Sequence, residues 1–288
     1  MSAFDPILVP LDGSVIAAQS LECAGWLAGE LRARLHVLGA GHPVLPPKEA
    51  LERLRVPERL WQDVLLHQSE SIPEQAVLDL AHRCEAGLIV MSARGRSAEK
   101  GEHEPLLGHV TVSVIEGTDV PVLVLPPGYR ESLPWTKAVV PISGESPADE
   151  ALAVAVRLAC ELDLELTVVH VVGTEGGLAA QTRYADALHH EYADRLGELV
   201  ERALSDCDRR DARRITDVVL RRGDVATALL ETIEEREASL VVVGWHARFA
   251  PGRALILKTL LERLSCPALL VKAPPRPPFR LAVGDALK

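Results

Sequence analysis

Ile7-Leu8-Val9-Pro10-Leu11-Asp12-Gly13, near the amino terminus, returns later in the chain as Ala138-Val139-Val140-Pro141-Ile142-Ser143-Gly144. Each copy is a short apolar run with proline in fourth place, closed by a small polar residue and a glycine. Consecutive apolar residues of this length suit a strand buried on both faces of a parallel sheet. The copies lie 131 residues apart (143 − 12), and the register holds onward: Glu30-Leu31 answers Glu161-Leu162, Leu35 answers Leu166, and Val37-Leu38 answers Val168-Val169. A second block, 87–91, aligns with 239–243 at a spacing of 152 (240 − 88). A third pairs Val120-Pro121-Val122-Leu123-Val124 with Cys266-Pro267-Ala268-Leu269-Leu270 at a spacing of 146 (267 − 121). Ordered blocks repeating at domain length mean two units of one architecture. The 288 residues fit two domains at about 150 residues each. The change of spacing places extra length in the second unit between its second and third strands, where residues 184–204 carry a helical pattern.

Within each unit the elements alternate. After the first strand (7–11, 139–142) comes a turn, with Ser14 or Ser146 placed to cap the next helix. That helix repeats apolar residues at helical spacing: Leu21, Ala24, Leu27, Ala28 and Leu31, answered by Leu152, Val156, Leu158, Ala159 and Leu162. A second strand follows (35–38, 166–172), then a third (64–66, 218–220), a helix (74–84, 225–237), a fourth strand (88–91, 240–243), a further helix and a fifth strand (121–125, 267–271). Strand, helix, strand in this order is a right-handed crossover unit. The expected fold is therefore α/β: two tandem, five-stranded, doubly wound parallel-sheet domains at 1–127 and 137–273. A Pro- and Gly-punctuated linker spans 128–136, and an extended proline-rich tail spans 274–288. Ligands in such sheets bind beyond the carboxyl ends of the strands.

Composition narrows the function. The formal net charge of -10 disfavours nucleic acid and anionic membrane surfaces as partners. The basic cluster Arg209-Arg210 with Arg213-Arg214 reads as a solvated helix face. No apolar run reaches the roughly 18 residues of a membrane span, and Met1-Ser2-Ala3-Phe4-Asp5 lacks the basic start of a signal peptide, so a cytoplasmic protein is expected. Five cysteines, widely spaced and without a C-x-x-C, read as free thiols rather than a disulfide framework or zinc site.

Three segments resemble the universal stress protein family: 7–14 its first strand and turn, Leu88-Ile89-Val90-Met91-Ser92-Ala93-Arg94-Gly95-Arg96-Ser97 its fourth strand and glycine loop, and the Pro121 and Cys266-Pro267 segments its last strand. The resemblance covers nearly the whole chain, twice over. It implies the adenine nucleotide alpha hydrolase-like fold of that family and, as in some members, ATP bound at a loop of form G-x-x-G-x9-G-[S/T]. Glycines there let main-chain N–H groups approach phosphate, and the last pair opens a helix whose amino end favours anions.

The sequence departs from that pattern in both units. In the first, Ser92 stands at the first glycine, Gly95 fits the second, and Gly108 fits the third after twelve intervening residues, with His109 in place of Ser/Thr. Glu99, Glu102 and Glu104 lie between. In the second, Gly244 fits the first glycine, Ala247 replaces the second, Lys258-Thr259 stands near the last pair, and Ser143 replaces the first-strand aspartate that Asp12 retains. The nucleotide site is accordingly assigned to Pro10, Leu11, Asp12, Val37, Met91, Ser92, Gly95, Gly108 and His109, with Ser143, Gly244, His246, Lys258 and Thr259 as the weaker counterpart.

Other chemistry is poorly provided for. No G-x-S-x-G elbow, Rossmann G-x-G-x-x-G or P-loop occurs. His189-His190 and Glu102-His103-Glu104 are the only His/carboxylate clusters, and adjacent helical histidines cannot share a metal. His170 reads as a satisfied strand histidine, and Arg94, Arg96, Arg248 and Arg253 as partners for surface acids. The expected function is a non-catalytic stress-response scaffold with ATP as its only cofactor. A nucleotide hydrolase or phosphotransferase, and a small-molecule sensor using the same pocket, are the alternatives. The resemblance further implies pairing of the two halves through final strands 120–125 and 268–271, and a homo-oligomer beyond that.

Overall fold

The structure, a computed structural model, describes residues 2–95, 107–127, 129, 133–143, 145–173, 197–198, 200–201, 211–246 and 254–273. The helical pattern expected around 184–204 and the tail 274–288 fall almost wholly outside these residues, as do Glu99, Glu102, His103, Glu104, His189, His190, Cys207, Ala247, Arg248 and Arg253.

The first half runs β1 (Ile7–Leu11), α1 (Val15–Leu31), β2 (Leu35–Ala40), α2 (Pro47–Arg53), β3 (Val64–Ser69), α3 (Pro73–Arg83), β4 (Leu88–Ser92), α4 (His109–Gly117), β5 (Val122–Leu125). The second runs β6 (Lys137–Pro141), α5 (Ser146–Leu162), β7 (Glu165–Gly173), β8 (Ile215–Gly223), α6 (Val225–Glu235), β9 (Leu240–Trp245), α7 (Leu255–Arg263), β10 (Ala268–Lys272). The strands form one ten-stranded sheet in the order β3-β2-β1-β4-β5-β10-β9-β6-β7-β8. The order is the same in both halves, reflected about the centre. Every neighbouring pair is parallel except the central one, where Ala268, Leu269 and Leu270 run antiparallel to Val124, Leu123 and Val122. The carboxyl ends of the strands therefore point to opposite ends of the sheet in the two halves.

Side chains alternate across the sheet, so each strand feeds two cores. Ile7, Val9, Leu35, Val37 and Leu88 of the first half and Val140, Leu166, Val168 and Leu240 of the second pack under α1 and α5. Leu8, Leu38, Ile89, Met91, Val139, Val169 and Val241 pack under α3, α4, α6 and α7. Each core runs through both halves without interruption. The linker contributes too: Trp135 is 2% exposed, meets Trp26 of α1 edge-on at 5.1 Å, and donates from Nε1 to the Tyr129 hydroxyl at 3.1 Å.

Three sequence expectations change. The cap assigned to Ser14 or Ser146 holds only for Ser14, whose Oγ accepts the Ala17 N–H at 3.1 Å. In the second half Ser146 is already helical and Glu145 is the N-cap, because Pro147 brings the first turn forward by its fixed φ. Strand β8 is nine residues long rather than three, since it forms the sheet edge and alternates exposed and half-buried residues. Helix α2 has no counterpart in the sequence reading; its signal was Pro46-Pro47 opening an apolar pair, Ala50 and Leu51.

Candidate functional site

Two cavities lie beyond the carboxyl ends of the strands, one per half. The first, about 280 Å³, sits where the strand order turns back between β1 and β4. The turn after β1 is held by Asp12, whose Oδ1 accepts the Ser14 N–H at 2.9 Å, with Gly13 at φ +79. That φ is one that glycine adopts without penalty. The end of β4 is held by Ser92, whose hydroxyl donates to Arg94 O at 2.6 Å. Helix α4 is fastened to the same strand end: Gly108 N–H donates to Ala93 O at 2.8 Å, and the Thr111 hydroxyl donates to Ser92 O at 3.2 Å. Gly108 is the helix N-cap and makes no side-chain cap bond, so the first turn of α4 opens onto the cavity.

Pro10, Leu11, Asp12, Met91, Ser92, Gly95, Gly108 and His109 all line this space. Val37 does not. It pairs with Val9, and both are fully buried on the opposite face, under α1. Leu38, the register partner of Pro10, takes the assigned place. The parity of β2 follows from its register with Pro10, which the structure supplies. Pro73 and Val77 of α3 complete the wall. At the rim, His109 Nδ1 stands 3.9 Å from Glu74 Oε1.

The second cavity is larger, about 640 Å³. Ile142, Val169, Leu229, Val243, Trp245 and Leu257 are among the apolar residues of its wall. Ser143, Gly244 and His246 line it. Lys258 and Thr259 do not: α7 begins at Leu255, so Lys258 is past the first turn and its N–H is spent on Ala254 O at 2.9 Å. The free amides that would receive a phosphate belong to the first turn of a helix, not to this position. Gly244 has a packing role of its own, since a Cβ there would collide with the carbonyl of Pro147 in α5. Among the described lining residues the polar side chains are Ser143, Glu145, His170 and His246. His170 Nδ1 lies 2.8 Å from Ile142 O, and His246 Nε2 lies 2.6 Å from Glu145 Oε2.

The sequence matches the universal stress protein family over residues 48–126 and 134–272. The chain belongs to the universal stress protein family. Among solved structures, a universal stress protein from Archaeoglobus fulgidus DSM 4304 is 19% identical, with a TM-score of 0.63, over 94% of this chain and 97% of that one. A functionally unknown protein from Pseudomonas aeruginosa PAO1 is 18% identical, with a TM-score of 0.64, over 94% and 93%. A universal stress protein in complex with cAMP is 20% identical, with a TM-score of 0.35, over 43% of this chain and 98% of its own. At these identities the likeness is one of fold. No curated protein matches the sequence.

As a universal stress protein the chain has unequal halves. Laid on the repeat, Asp12 corresponds to Ser143, Ser14 to Glu145, Ala93 to Trp245 and Arg94 to His246. The first cavity has the aspartate and the arginine; the second lacks both, and has Glu145 and the bulky indole of Trp245 in its wall. Among the described residues no group of three or more His, Cys, Asp or Glu side chains lies together, and no helix is long and apolar enough to cross a membrane.

Proposed function

We propose that the chain is a non-catalytic, cytoplasmic stress-response protein whose first half binds ATP weakly. The observation that carries this reading is the closure of the Asp12 turn on Gly95 beside the open first turn of α4. A Cβ at Gly95 would stand 2.5 Å from Asp12 Oδ2. Backbone, carboxylate and helix end thus meet around one small cavity. A carboxylate at this place accepts hydrogen bonds from ribose hydroxyls or an adenine amine. Phosphates leaving the cavity meet the amino end of α4 and the nearby Arg94, both favourable to anions. The 280 Å³ suits a nucleoside, with the phosphates outside it.

The complex is weak on this reading. Ser92 carries a side chain where the family pattern has its first glycine, and the sequence places Glu99, Glu102 and Glu104 between Gly95 and Gly108. The expected dissociation constant is tens of micromolar or weaker, on the order of −6 kcal/mol. Ser14, the hydroxyl nearest the Asp12 turn, serves as a helix cap, which supports binding without hydrolysis. Pairing of identical chains into an oligomer belongs to the same proposal, and light scattering on the purified chain tests it.

Calorimetric titration with ATP tests the site. Asp12→Ala should weaken binding at least tenfold and Lys258→Ala should leave it unchanged. The opposite pattern moves the site to the second half, and the absence of heat at millimolar ATP removes the nucleotide reading altogether.

A further inference from the structure

We infer that the cavity of the second half is a separate binding site for an uncharged, largely apolar small molecule carrying one hydrogen-bond donor. The inference goes beyond the nucleotide reading of the first half and does not depend on it.

Size comes first. At about 640 Å³ the cavity lies within the range of small-molecule pockets, and its wall is mainly aliphatic with one indole, Trp245. An apolar wall of this extent favours an apolar occupant by removing its surface from water.

Charge comes second. The arginine that suits the first cavity to an anion is replaced in the repeat, where His246 stands in the place of Arg94, and Glu145 adds a carboxylate to the second cavity's wall. Glu145 and His246 are engaged with each other at 2.6 Å across the rim. The described lining residues therefore present a carboxylate at the mouth, and any cationic charge on His246 is already answered by it. An anionic group entering this mouth meets repulsion; an uncharged body does not.

The donor requirement comes from His170. A main-chain carbonyl only accepts, so the 2.8 Å contact from Nδ1 to Ile142 O requires a proton on Nδ1. In the neutral ring Nε2 then carries a lone pair. His170 is half-buried and lines the cavity. It offers an acceptor among the mainly apolar described lining residues, apart from Ser143 and the paired Glu145 and His246, and an N–H or O–H on the ligand satisfies it.

Two dyes that share one body separate these properties. N-phenyl-1-naphthylamine is uncharged and has a single N–H; 8-anilino-1-naphthalenesulfonate adds a sulfonate to the same framework. Fluorescence titration of the full chain should show the uncharged dye bound at least tenfold more tightly than the sulfonate. Glu145→Lys, at an exposed position, should close that gap to within about threefold. Val225→Trp, which fills the cavity from the start of α6, should weaken the uncharged dye at least tenfold. Asp12→Ala should leave dye binding unchanged while weakening ATP. Folding of each variant is checked by thermal unfolding, and Glu145→Lys decides alone if Val225→Trp fails to fold. Equal affinity for the two dyes, no fluorescence gain on the folded chain, or a loss on Asp12→Ala equal to that on Val225→Trp each overturns the assignment.

Discussion

Asp12 fills the space that a side chain at Gly95 would need: its Oδ2 lies 2.5 Å from where a Cβ would stand. Gly95→Ala must push the carboxylate away or open the strand end. The expected cost is about 1–3 kcal/mol in stability, as for other overpacked sites, together with an at least tenfold loss of ATP affinity. Gly108→Ala is the control, because a methyl there finds no heavy atom nearer than 3.8 Å. It should cost under about 1 kcal/mol, the loss of a tolerated N-cap residue. Thermal unfolding and calorimetry on both variants measure the difference.

A histidine pair sets a pH dependence. His36 of β2 and His67 of β3 stack at 5.0 Å, with His67 Nε2 and His36 Nδ1 3.2 Å apart. Burial, then the charges of His67 and Arg34, holds the His36 pKa below its usual value; burial and then Arg83 do the same for His67. The unfolded chain takes up these protons first, so stability is full above about pH 6.5 and falls as pH drops below it. His36 Nε2 is buried with no hydrogen-bond partner, so His36→Leu removes one titrating group and that orphan together, at the cost of the contact with His67 Nε2. Between pH 7.5 and 5.5 the variant should lose about 1 kcal/mol less stability than the parent chain, a shift of a few degrees in relative Tm.

Thiol reactivity should follow burial. Cys23, Cys84, Cys160 and Cys266 are free, and burial raises the Cys266 thiol to about 12. The reactive thiolate is correspondingly scarce there. Peptide mapping after brief iodoacetamide treatment of the folded chain should find Cys23 and Cys266 protected and the half-buried Cys84 and Cys160 modified slowly. All five cysteines should label after denaturation without reductant. A protected pair in the denatured chain would show a disulfide and overturn this.

The central seam makes unfolding one event. Leu123 and Leu269 face each other across β5 and β10, both almost wholly buried, and both cores cross this line. Leu269→Ala should cost about 2–5 kcal/mol and lower a single calorimetric transition. Two transitions, with only one moved, would mean that the halves melt separately.

Much of this was written in the repeat. Pro10 and Pro141 at the ends of matching apolar runs marked β1 and β6, and both fall within those strands. The parity of β2 was not legible, because Val37 and Leu38 are both apolar and only the register with Pro10 tells which one faces the cavity. Lys258 misled for a related reason: helix α7 starts at Leu255, three residues before it, and no cap residue in the sequence announces that start. The second cavity has no glycine-loop signature in the sequence. The volume depends instead on what surrounds Trp245, including Val225 and Leu229 from a helix twenty residues upstream.

The reflected strand order has an evolutionary reading. When two copies of a half-length chain join edge to edge, every mutation is installed in both sites, and neither can change its chemistry alone. Here the copies are covalently one, and a change such as arginine at 94 against histidine at 246 is inherited on one side only. The shared sheet holds both pockets in one frame, while each can take substitutions that the other does not share.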